Sequence, residues 1–327
     1  MTPRLGFLGL GWIGRSRMEA ILADGTATVA ALADTSAEAM HSCLGLASQA
    51  TMAGGLDELL ELKLDGIVIA TPSALHAWQA QAALNSGTAV FCQKPLGRSA
   101  EETAMVVDAA RRADRLLGVD FSYRDTRALA AVHELICSGE LGDIYAADLT
   151  FHNAYGPDKP WFHEPSLAGG GCVMDLGIHL VDLALWMFGK TAVETVTSRL
   201  FSKGRPLPAN PGVIEDFAVA QLGLVEGQVV RLACSWNLPA GCDAVIEATF
   251  YGTAGGACFR NVGGSFFDFT AERFDGTRRT TLVSPPDSWS GRTAAAWARR
   301  LAADRSFDPS IEEATAVATV LDRIYGR

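Results

Sequence analysis

The first thirty-four residues restrict the possible folds of this chain more than any other segment. A largely apolar run, residues 5–8, leads directly into Gly9, Gly11 and Gly14, which are spaced as G-x-G-x-x-G. Twenty residues after Gly14, a second apolar run ends at the carboxylate of Asp34. A strand, a glycine-rich turn, a helix and a second strand that ends in an acid form a βαβ unit, whose helix N-terminus can hold a pyrophosphate.

The spacing predicts a separate role for each glycine in binding a dinucleotide. Gly9 permits the tight turn, Gly11 lets the backbone approach the pyrophosphate, and Gly14 lets the helix sit close to the strand. Asp34 would accept hydrogen bonds from the adenosine ribose. The alternative is that the glycines serve only a tight turn between strand and helix. The predicted cofactor-binding residues of this unit are Gly9, Gly11, Trp12, Ile13, Gly14 and Asp34.

Composition and charge argue against several classes of partner. The 327-residue chain has 27 basic and 37 acidic residues, so its net charge of −10 gives no general attraction to nucleic acid or to an anionic membrane. Seven cysteines without a C-x-x-C pair argue against a metal site or a disulfide framework and favour the reducing cytoplasm. No apolar run approaches the ~18 residues of a membrane span, and the N-terminus lacks the architecture of a signal peptide.

Two regions with different patterns divide the chain near residue 120. Short apolar strands alternate with Ala-rich helices up to that point, which predicts a doubly wound parallel sheet with helices on both faces. Beyond it, alternating apolar residues and glycine-containing turns predict an α+β domain with a large, mostly antiparallel open sheet. We therefore predict an α/β chain with domains 1–120 and 121–327. A helix over 311–325 closes the chain and can pack back toward the N-terminal domain.

A turn after the apolar run 66–70 carries the next candidate residues. Thr71 and Pro72 follow that run directly, and His76 lies four residues beyond Pro72. Ligands of an open α/β sheet bind at the carboxyl ends of its strands, so these three residues are predicted to contact the cofactor. A simple strand–helix turn capped by Ser73 is the alternative.

The following strand pattern ends in Gln93, Lys94 and Pro95. Because Lys94 directly follows an apolar strand, we expect it to be partly buried, which disfavours the ammonium form and suits proton transfer. Pro95 keeps the backbone of Lys94 out of helical geometry. A surface lysine at the end of a strand is the alternative.

A third group of candidates lies on one predicted helix, from about Cys172 to Phe188. After three glycines, Asp175, His179 and Asp182 recur at i, i+4 and i+7, which places them on one helical face. Such a stripe is costly to bury as structure alone. An imidazole titrates near neutrality and can take and return a proton, and Asp182 could orient the ring. A hydrogen-bonded core histidine is the alternative. No second histidine lies nearby in the sequence, which argues against a metal site.

Together these motifs resemble those of the Gfo/Idh/MocA family of NAD(P)-dependent oxidoreductases. The resemblance includes the nucleotide fingerprint, the T-P-x-x-x-H turn, the lysine–proline turn and the D-x-G-x-H-x-x-D run, in the family's order. It implies a Rossmann domain followed by an α/β domain with an open sheet that is often used for oligomerisation. It also implies that Lys94, Asp175 and His179 are the catalytic residues.

The chain departs from the family pattern at one position of the lysine turn. The family turn usually reads E-K-P, and here Gln93 replaces the glutamate. Glutamine keeps the hydrogen-bonding reach but loses the charge, which could alter the contacts of the turn with the cofactor. Gln93 and Lys94 are both predicted to contact that cofactor.

The resemblance implies a dehydrogenase that moves a hydride between a nicotinamide cofactor and a secondary alcohol of a sugar, sugar derivative or cyclitol. NAD is expected rather than NADP because Asp34 would repel a 2′-phosphate, although Arg15 or Arg17 could soften that repulsion. Polar and aromatic residues before the candidate helix, His163 among them, suit either sugar recognition or an oligomer interface. The predicted substrate-binding residues are Lys94, His152, Trp161, Asp175 and His179.

Two other functions stay open at this point. One is a non-catalytic nucleotide-binding sensor with the same fold, for which Gln93 is the sequence support. The other is a sugar–sugar oxidoreductase that keeps its cofactor tightly bound through a complete cycle. In each case we expect a sugar or polyol as the small-molecule partner, no nucleic acid or membrane partner, and a homodimer or homotetramer formed through the C-terminal sheet.

Overall fold

The computed structural model describes residues 2–189 and 192–327, which form two compact units. The first unit comprises Met1–Ser122 with Ser290–Thr315, and the second comprises Tyr123–Trp289 with Ala316–Arg327. These units differ from the predicted domains, 1–120 and 121–327, because the chain returns to the first unit after leaving the second. The closing helix begins in the first unit and ends in the second.

The helices and strands of the described chain follow the predicted alternation. The helices are α1 (Trp12–Asp24), α2 (Ala37–Leu44), α3 (Leu56–Glu61), α4 (Ser73–Asn85), α5 (Ala100–Ala113), α6 (Arg127–Cys137), α7 (Pro165–Ala168), α8 (Ile178–Met187), α9 (Arg292–Ala303) and α10 (Glu313–Tyr325). The strands are β1 (Arg4–Leu8), β2 (Thr28–Ala33), β3 (Thr51–Met52), β4 (Gly66–Ile69), β5 (Ala89–Cys92), β6 (Leu117–Val119), β7 (Ile144–Asn153), β8 (Val193–Ser202), β9 (Arg205–Pro206), β10 (Phe217–Leu224), β11 (Val229–Ser235), β12 (Ala244–Gly252), β13 (Gly256–Asn261), β14 (Phe269–Asp275) and β15 (Arg278–Val283).

The first unit is built on a parallel sheet with the strand order β3-β2-β1-β4-β5-β6. This is the doubly wound order of dinucleotide-binding domains. β4 and β5 are buried along their whole length, as expected for strands covered by helices on both faces. The predicted parallel sheet is confirmed, and the two-residue β3 is a strand that sequence patterning missed.

Helix α9 completes the first unit from far along the chain. A Cβ atom at Gly66 would come within 2.6 Å of the Trp297 ring and 2.9 Å of Leu301, so glycine leaves the room that α9 needs above β4. The rings of Trp297 and Phe91 lie 5.7 Å apart. Sequence analysis missed α9 because the contact that stabilises it joins residues distant in the chain.

The second unit is built on a sheet with the order β15-β14-β13-β12-β7-β11-β10-β8-β9. Only β7 and β11 pair in parallel among its strands, so the predicted mostly antiparallel sheet is confirmed. Along β10, Ala218, Ala220 and Leu222 are buried, whereas Val219 and Gln221 are exposed. This alternation shows that one face of the sheet packs in the core and the other is open.

The segment that carries the candidate helix is long and strongly apolar. Residues Pro165–Met187 meet the length and hydropathy of a membrane span, but 83% of the most apolar window is buried inside the structure. Within this segment a π-helical turn, Val173–Gly177, precedes α8. The segment is therefore typical of a core helix, which is also where such apolar composition is expected.

Candidate functional site

The glycine turn after β1 leaves no room for side chains at two of its three glycines. Gly9 has a φ of +91°, and a Cβ atom there would lie 2.5 Å from the carbonyl oxygen of Ala70. A Cβ atom at Gly14 would lie 2.0 Å from the carbonyl oxygen of Gly9. The tight turn and the close approach of α1 to the sheet therefore both require glycine.

Gly11 stands in open space at the N-terminus of α1. A Cβ atom built there would meet nothing within 4 Å beyond its own chain neighbours, and within the described chain no side chain caps this helix. Trp12 and Ile13 form the first turn, and the Trp12 side chain is exposed. An uncapped helix N-terminus beside open space is a site for an anionic group, so these residues fit a dinucleotide pyrophosphate.

Asp34 ties the end of β2 to the glycine turn. One carboxylate oxygen accepts the Leu10 N–H at 2.6 Å, and the other accepts the Ser36 N–H at 2.7 Å. Each oxygen has a second lone pair, so Asp34 can still accept hydrogen bonds from a ribose. Arg17 cannot serve a 2′-phosphate here, because it is buried and forms an ion pair elsewhere. Arg15 pairs with Glu19.

His76, which is predicted to contact the cofactor, links two turns of the chain. Its side chain is only 2% exposed. Nδ1 lies 2.7 Å from the carbonyl oxygen of Pro95, and Nε2 lies 2.6 Å from that of Thr71. Because both ring nitrogens contact backbone carbonyls, His76 holds the Thr71–Pro72 turn against the lysine turn. Its effect on a cofactor is therefore indirect.

The lysine turn is anchored by a buried polar cluster that sequence analysis missed. Lys94 is half-buried at the end of β5, and Gln93 beside it is buried. The Gln93 amide donates a short hydrogen bond to Asp120, which also forms an ion pair with Arg17 at 2.6 Å. Asp120 directly follows β6. Its place at the same sheet edge was the signal that could have found it.

In the second unit, Asp175 and His179 lie on the two parts of one helical segment. Asp175 lies in the π-helical turn and His179 in the first turn of α8. The predicted continuous α-helix, with one straight stripe of side chains, is therefore wrong at its first turn. A π-helical turn adds a residue to the helical repeat and is frequent at functional sites. His179 is buried, with 7% of its surface exposed.

The glycines before this segment allow a buried carboxylate to bind its backbone. Glu215 is fully buried and accepts the N–H groups of Gly171 at 3.0 Å and Val173 at 2.9 Å. The Tyr325 hydroxyl donates to the same carboxylate at 2.8 Å. A Cβ atom at Gly170 would lie 1.9 Å from the Tyr325 oxygen, so this approach needs glycine. Burial raises the pKa of Glu215, and these hydrogen bonds oppose the rise.

An aromatic ring that sequence analysis missed packs directly on His179. The ring centroids of Tyr123 and His179 lie 4.8 Å apart in an edge-to-face arrangement, and Phe151 lies 6.3 Å from His179. Burial first, and then the charge of Asp175, raise the pKa of the Tyr123 hydroxyl. Tyr123 therefore stays a neutral phenol that fixes the imidazole plane.

The Asp175 carboxylate is oriented by a tryptophan. The indole N–H of Trp236 donates to Asp175 Oδ2 at 3.1 Å. Phe162 meets Trp236 edge-to-face at 6.2 Å and stacks on Trp161 at 3.8 Å, and His163 also lies 6.2 Å from Trp236. The predicted substrate residue Trp161 thus belongs to one aromatic cluster beside Asp175.

Asp182 forms an ion pair with Arg124. Arg124 donates two hydrogen bonds to the two Asp182 carboxylate oxygens, at 3.0 and 2.6 Å, and its guanidinium lies 5.5 Å from the centre of the Trp186 ring. The second acid of the predicted stripe therefore anchors α8 to the segment that also carries Tyr123. Two parallel bonds of this kind give a fixed geometry.

His152, a predicted substrate-binding residue, lies on the open face of the sheet. Phe151, the residue before it in β7, points toward His179, and neighbouring side chains of a strand point to opposite faces. His152 Nδ1 lies 2.7 Å from Ser235 Oγ, and its ring stacks on Phe217 at 5.9 Å. The side chain is thus on the opposite side of the sheet from the candidate helix.

The described residues carry no evident metal centre. Across 2–189 and 192–327, no group of three or more His, Cys, Asp or Glu side chains is arranged to hold an ion. Of the three predicted catalytic residues, Lys94 belongs to the first unit, whereas Asp175 and His179 belong to the second.

Two family models match consecutive parts of the chain. Residues 4–121 match the oxidoreductase family with the NAD-binding Rossmann fold, and residues 129–258 match the GFO/IDH/MocA C-terminal domain. A solved structure of levoglucosan dehydrogenase in complex with NADH has a TM-score of 0.84 at 22% identity, over 99% of this chain and 96% of that one. That similarity establishes the fold.

Two curated relatives are similar in sequence. D-glucoside 3-dehydrogenase of Escherichia coli (strain K12) is 29% identical over 210 residues, which are 61% of this chain and 60% of that protein. The putative UDP-kanosamine synthase oxidoreductase subunit of Amycolatopsis mediterranei (strain S699) is 31% identical over 255 residues, which are 72% of this chain and 69% of that protein. With its glycine cradle, its lysine turn and its Asp175–His179 helix, the chain belongs to the Gfo/Idh/MocA family of oxidoreductases.

Proposed function

We propose that this chain is an NAD(P)-dependent dehydrogenase that oxidises a secondary alcohol of a sugar, a sugar derivative or a cyclitol. The observation that carries the proposal is the pair formed by buried His179 and oriented Asp175 on one helical segment. Tyr123 and Trp236 fix these two side chains, as a positioned acid–base group requires. The names of the relatives, D-glucoside 3-dehydrogenase and levoglucosan dehydrogenase, support a sugar as the substrate class.

The proposed roles follow from the chemistry of each side chain. A bound nicotinamide cofactor would supply the acceptor for the hydride of the carbon that carries the hydroxyl. His179 takes the hydroxyl proton on its imidazole, Lys94 donates a hydrogen bond to the reacting oxygen, and Asp175 accepts a hydrogen bond from a second hydroxyl. Trp161 offers an aromatic face to a sugar ring. These residues are the proposed catalytic and substrate-binding set. His152 stays a predicted substrate-binding residue, although it lies on the opposite side of the sheet from Asp175 and His179.

The proposal is tested by the appearance of reduced nicotinamide against a panel of cyclitols, aldoses, glycosides and sugar acids. NAD and NADP are supplied in parallel, and the Lys94→Ala variant is the control. Turnover that this variant loses supports the proposal. Silence across the panel, with a purified protein that carries no nucleotide and binds none, would overturn it. Nucleotide that co-purifies with the chain would instead point to the closed cycle between two sugars.

We expect the chain to bind NAD about tenfold more tightly than NADP, the difference that one unfavourable charge contact of about 1.4 kcal/mol produces. The reason is the carboxylate of Asp34 at the end of β2, where a 2′-phosphate would bring a like charge. Asp34→Asn removes that charge and keeps an acceptor for the Leu10 N–H, so the preference should shrink. Fluorescence titration gives both dissociation constants, and a lower constant for NADP would contradict the assignment.

We also propose a homodimer or homotetramer formed through the open face of the nine-stranded sheet. That face carries both signs of charge, since Arg231 pairs with Asp148 through two 2.6 Å hydrogen bonds. Exposed Val219 and Tyr251 lie on the same face. A surface with both charges and apolar groups can be self-complementary about a two-fold axis.

Free thiols at all seven cysteines agree with a cytoplasmic location.

The oligomer is tested by the molar mass from light scattering. We expect at least a dimer, and Arg231→Glu should shift the population to monomer because it places two carboxylates together on that face. Arg111→Glu, at an exposed arginine of α5 in the first unit, is the matched control and should leave the mass unchanged. A monomeric wild-type protein would exclude the proposed interface.

A further inference from the structure

A buried cluster of one positive, one negative and one amide side chain lies beside the lysine turn. Arg17, Gln93 and Asp120 are 4%, 9% and 1% exposed, respectively. Arg17 Nε donates to Asp120 Oδ2 at 2.6 Å, and the Gln93 amide nitrogen donates a short hydrogen bond to the same oxygen. Position 93 is also where this chain departs from the E-K-P pattern. The negative charge that the glutamate of the E-K-P pattern would supply is therefore present at this sheet edge, but it lies on Asp120.

The register of the sheet places Asp120 next to the lysine turn. β5 and β6 pair in parallel with Cys92 opposite Val119, and the Asp120 N–H donates to the Cys92 carbonyl at 3.0 Å. Asp120 and Gln93 are therefore neighbours at the carboxyl ends of adjacent strands, and Lys94 is the next residue. Burial first, and then the Asp120 charge, raise the pKa of the Cys92 thiol, so the charge acts across to β5.

Fold stability alone does not explain this carboxylate. Asp120 Oδ1 is buried and has no hydrogen-bond partner among the described residues. A buried acceptor without a partner is destabilising, and an ion pair buried this deeply is often replaceable by apolar groups without loss of stability. Groups of this kind in a native structure call for a functional explanation.

We propose that Asp120 is a positioning residue of the reaction, which supplies the buried negative charge beside the Lys94–Pro95 turn that residue 93 does not carry in this chain. The hydrogen bond from Gln93 links the Asp120 carboxylate to the turn, and the positive charge of Arg17 balances that carboxylate. The proposal rests on the proposed function where it is tested by kcat. The NAD dissociation constant gives an independent readout.

The arrangement predicts that the acid and the amide can be exchanged. Gln93→Glu alone places a second carboxylate against Asp120, and two carboxylates that share one arginine cannot both stay ionised easily. Asp120→Asn alone removes the acid and leaves Arg17 without its counter-charge. The double variant Gln93→Glu/Asp120→Asn restores one acid, one amide and one arginine with the first two exchanged.

The test compares these three variants with the wild type in melting temperature, NAD dissociation constant and kcat. We expect each single variant to lose about tenfold in kcat or in NAD affinity, and the double variant to regain most of that loss, as coupled neighbours do. Gln93→Glu should also show an added ionisation in its pH profile, with activity recovering as the pH falls and one carboxyl is protonated. The wild type and the double variant should lack that ionisation.

A fourth variant separates positioning from folding. Arg17→Met/Asp120→Asn removes both charges of the ion pair, so the protein should fold with a melting temperature near that of the wild type. If Asp120 serves only the fold, this variant regains wild-type kcat and NAD affinity, and the proposal is overturned. If Asp120 positions the lysine turn, the variant folds but stays about tenfold impaired.

The double variant provides the second decisive outcome. A Gln93→Glu/Asp120→Asn protein that folds as well as the wild type yet remains as impaired as the single variants contradicts the exchange. Failure of the proposed dehydrogenase activity is distinguishable, because it removes the kinetic signal from the wild type. NAD affinity and melting temperature would then still report on the exchange.

Discussion

Replacing His179 with alanine is expected to lower kcat by about 10²- to 10⁴-fold, the usual contribution of a positioned acid–base group. The imidazole is buried and Tyr123 holds it edge-to-face, so its position for proton transfer is fixed. The dissociation constant of NAD should stay within about twofold, since the nucleotide cradle belongs to the first unit. Steady-state kinetics and a nucleotide titration on the same preparation measure both quantities.

Controls separate a chemical effect from a folding effect at this position. His41→Ala removes an exposed histidine from α2 and should leave kcat unchanged. Added imidazole should restore part of the activity of His179→Ala, because a free base can occupy the space that the side chain vacates. Wild-type turnover in both His179→Ala and Lys94→Ala would contradict the assignment of the catalytic residues.

Replacing Glu215 with alanine is expected to lower the free energy of unfolding by about 4 kcal/mol, because it leaves several buried donors without an acceptor at about 1–3 kcal/mol each. These donors are the Gly171 and Val173 N–H groups and the Tyr325 hydroxyl. The same change releases the backbone that leads into Asp175, so kcat should fall as well. Chemical denaturation followed by circular dichroism measures the stability.

Tyr325→Phe is the matched control for Glu215. It removes one of the hydrogen bonds and leaves the amide–carboxylate bonds in place, so we expect a loss of only about 1 kcal/mol. Fluorescence and circular dichroism should give the same denaturation midpoint for each variant, which tests two-state unfolding. A Glu215→Ala protein as stable as the wild type would show that the buried carboxylate does not anchor this segment.

Prediction and structure agree where the information is local. The turn from Gly9 to Gly14 was predicted from spacing, and the φ of Gly9 and the contacts of Gly14 show why glycine is needed there. The parallel sheet was predicted from apolar runs that alternate with helices. A strand that is buried on both faces is apolar along its whole length, so its sequence alone shows the burial. Periodicity of this kind requires no knowledge of distant contacts.

Where they disagree, the deciding contact joins residues far apart in the chain. His152 was grouped with the substrate residues because it lies near them in sequence, yet strand alternation turns it to the open face against Ser235. His76 follows a turn that is predicted to bind the cofactor, and its ring contacts the carbonyl of Pro95 on the neighbouring turn. Neither contact can be predicted from a motif, since each depends on which segment of the folded chain packs against the histidine.

The sequence by itself determined the glycine turn and the layered α/β architecture, because glycine spacing and hydrophobic periodicity act within single elements. It also predicts Lys94, Asp175 and His179 as the catalytic residues. Only the tertiary structure decided which residues orient those side chains. Asp120 reaches Gln93 across adjacent strands, and Glu215 binds the backbone before Asp175 from another part of the chain. These partners are set by strand register and helix packing, which no local pattern specifies.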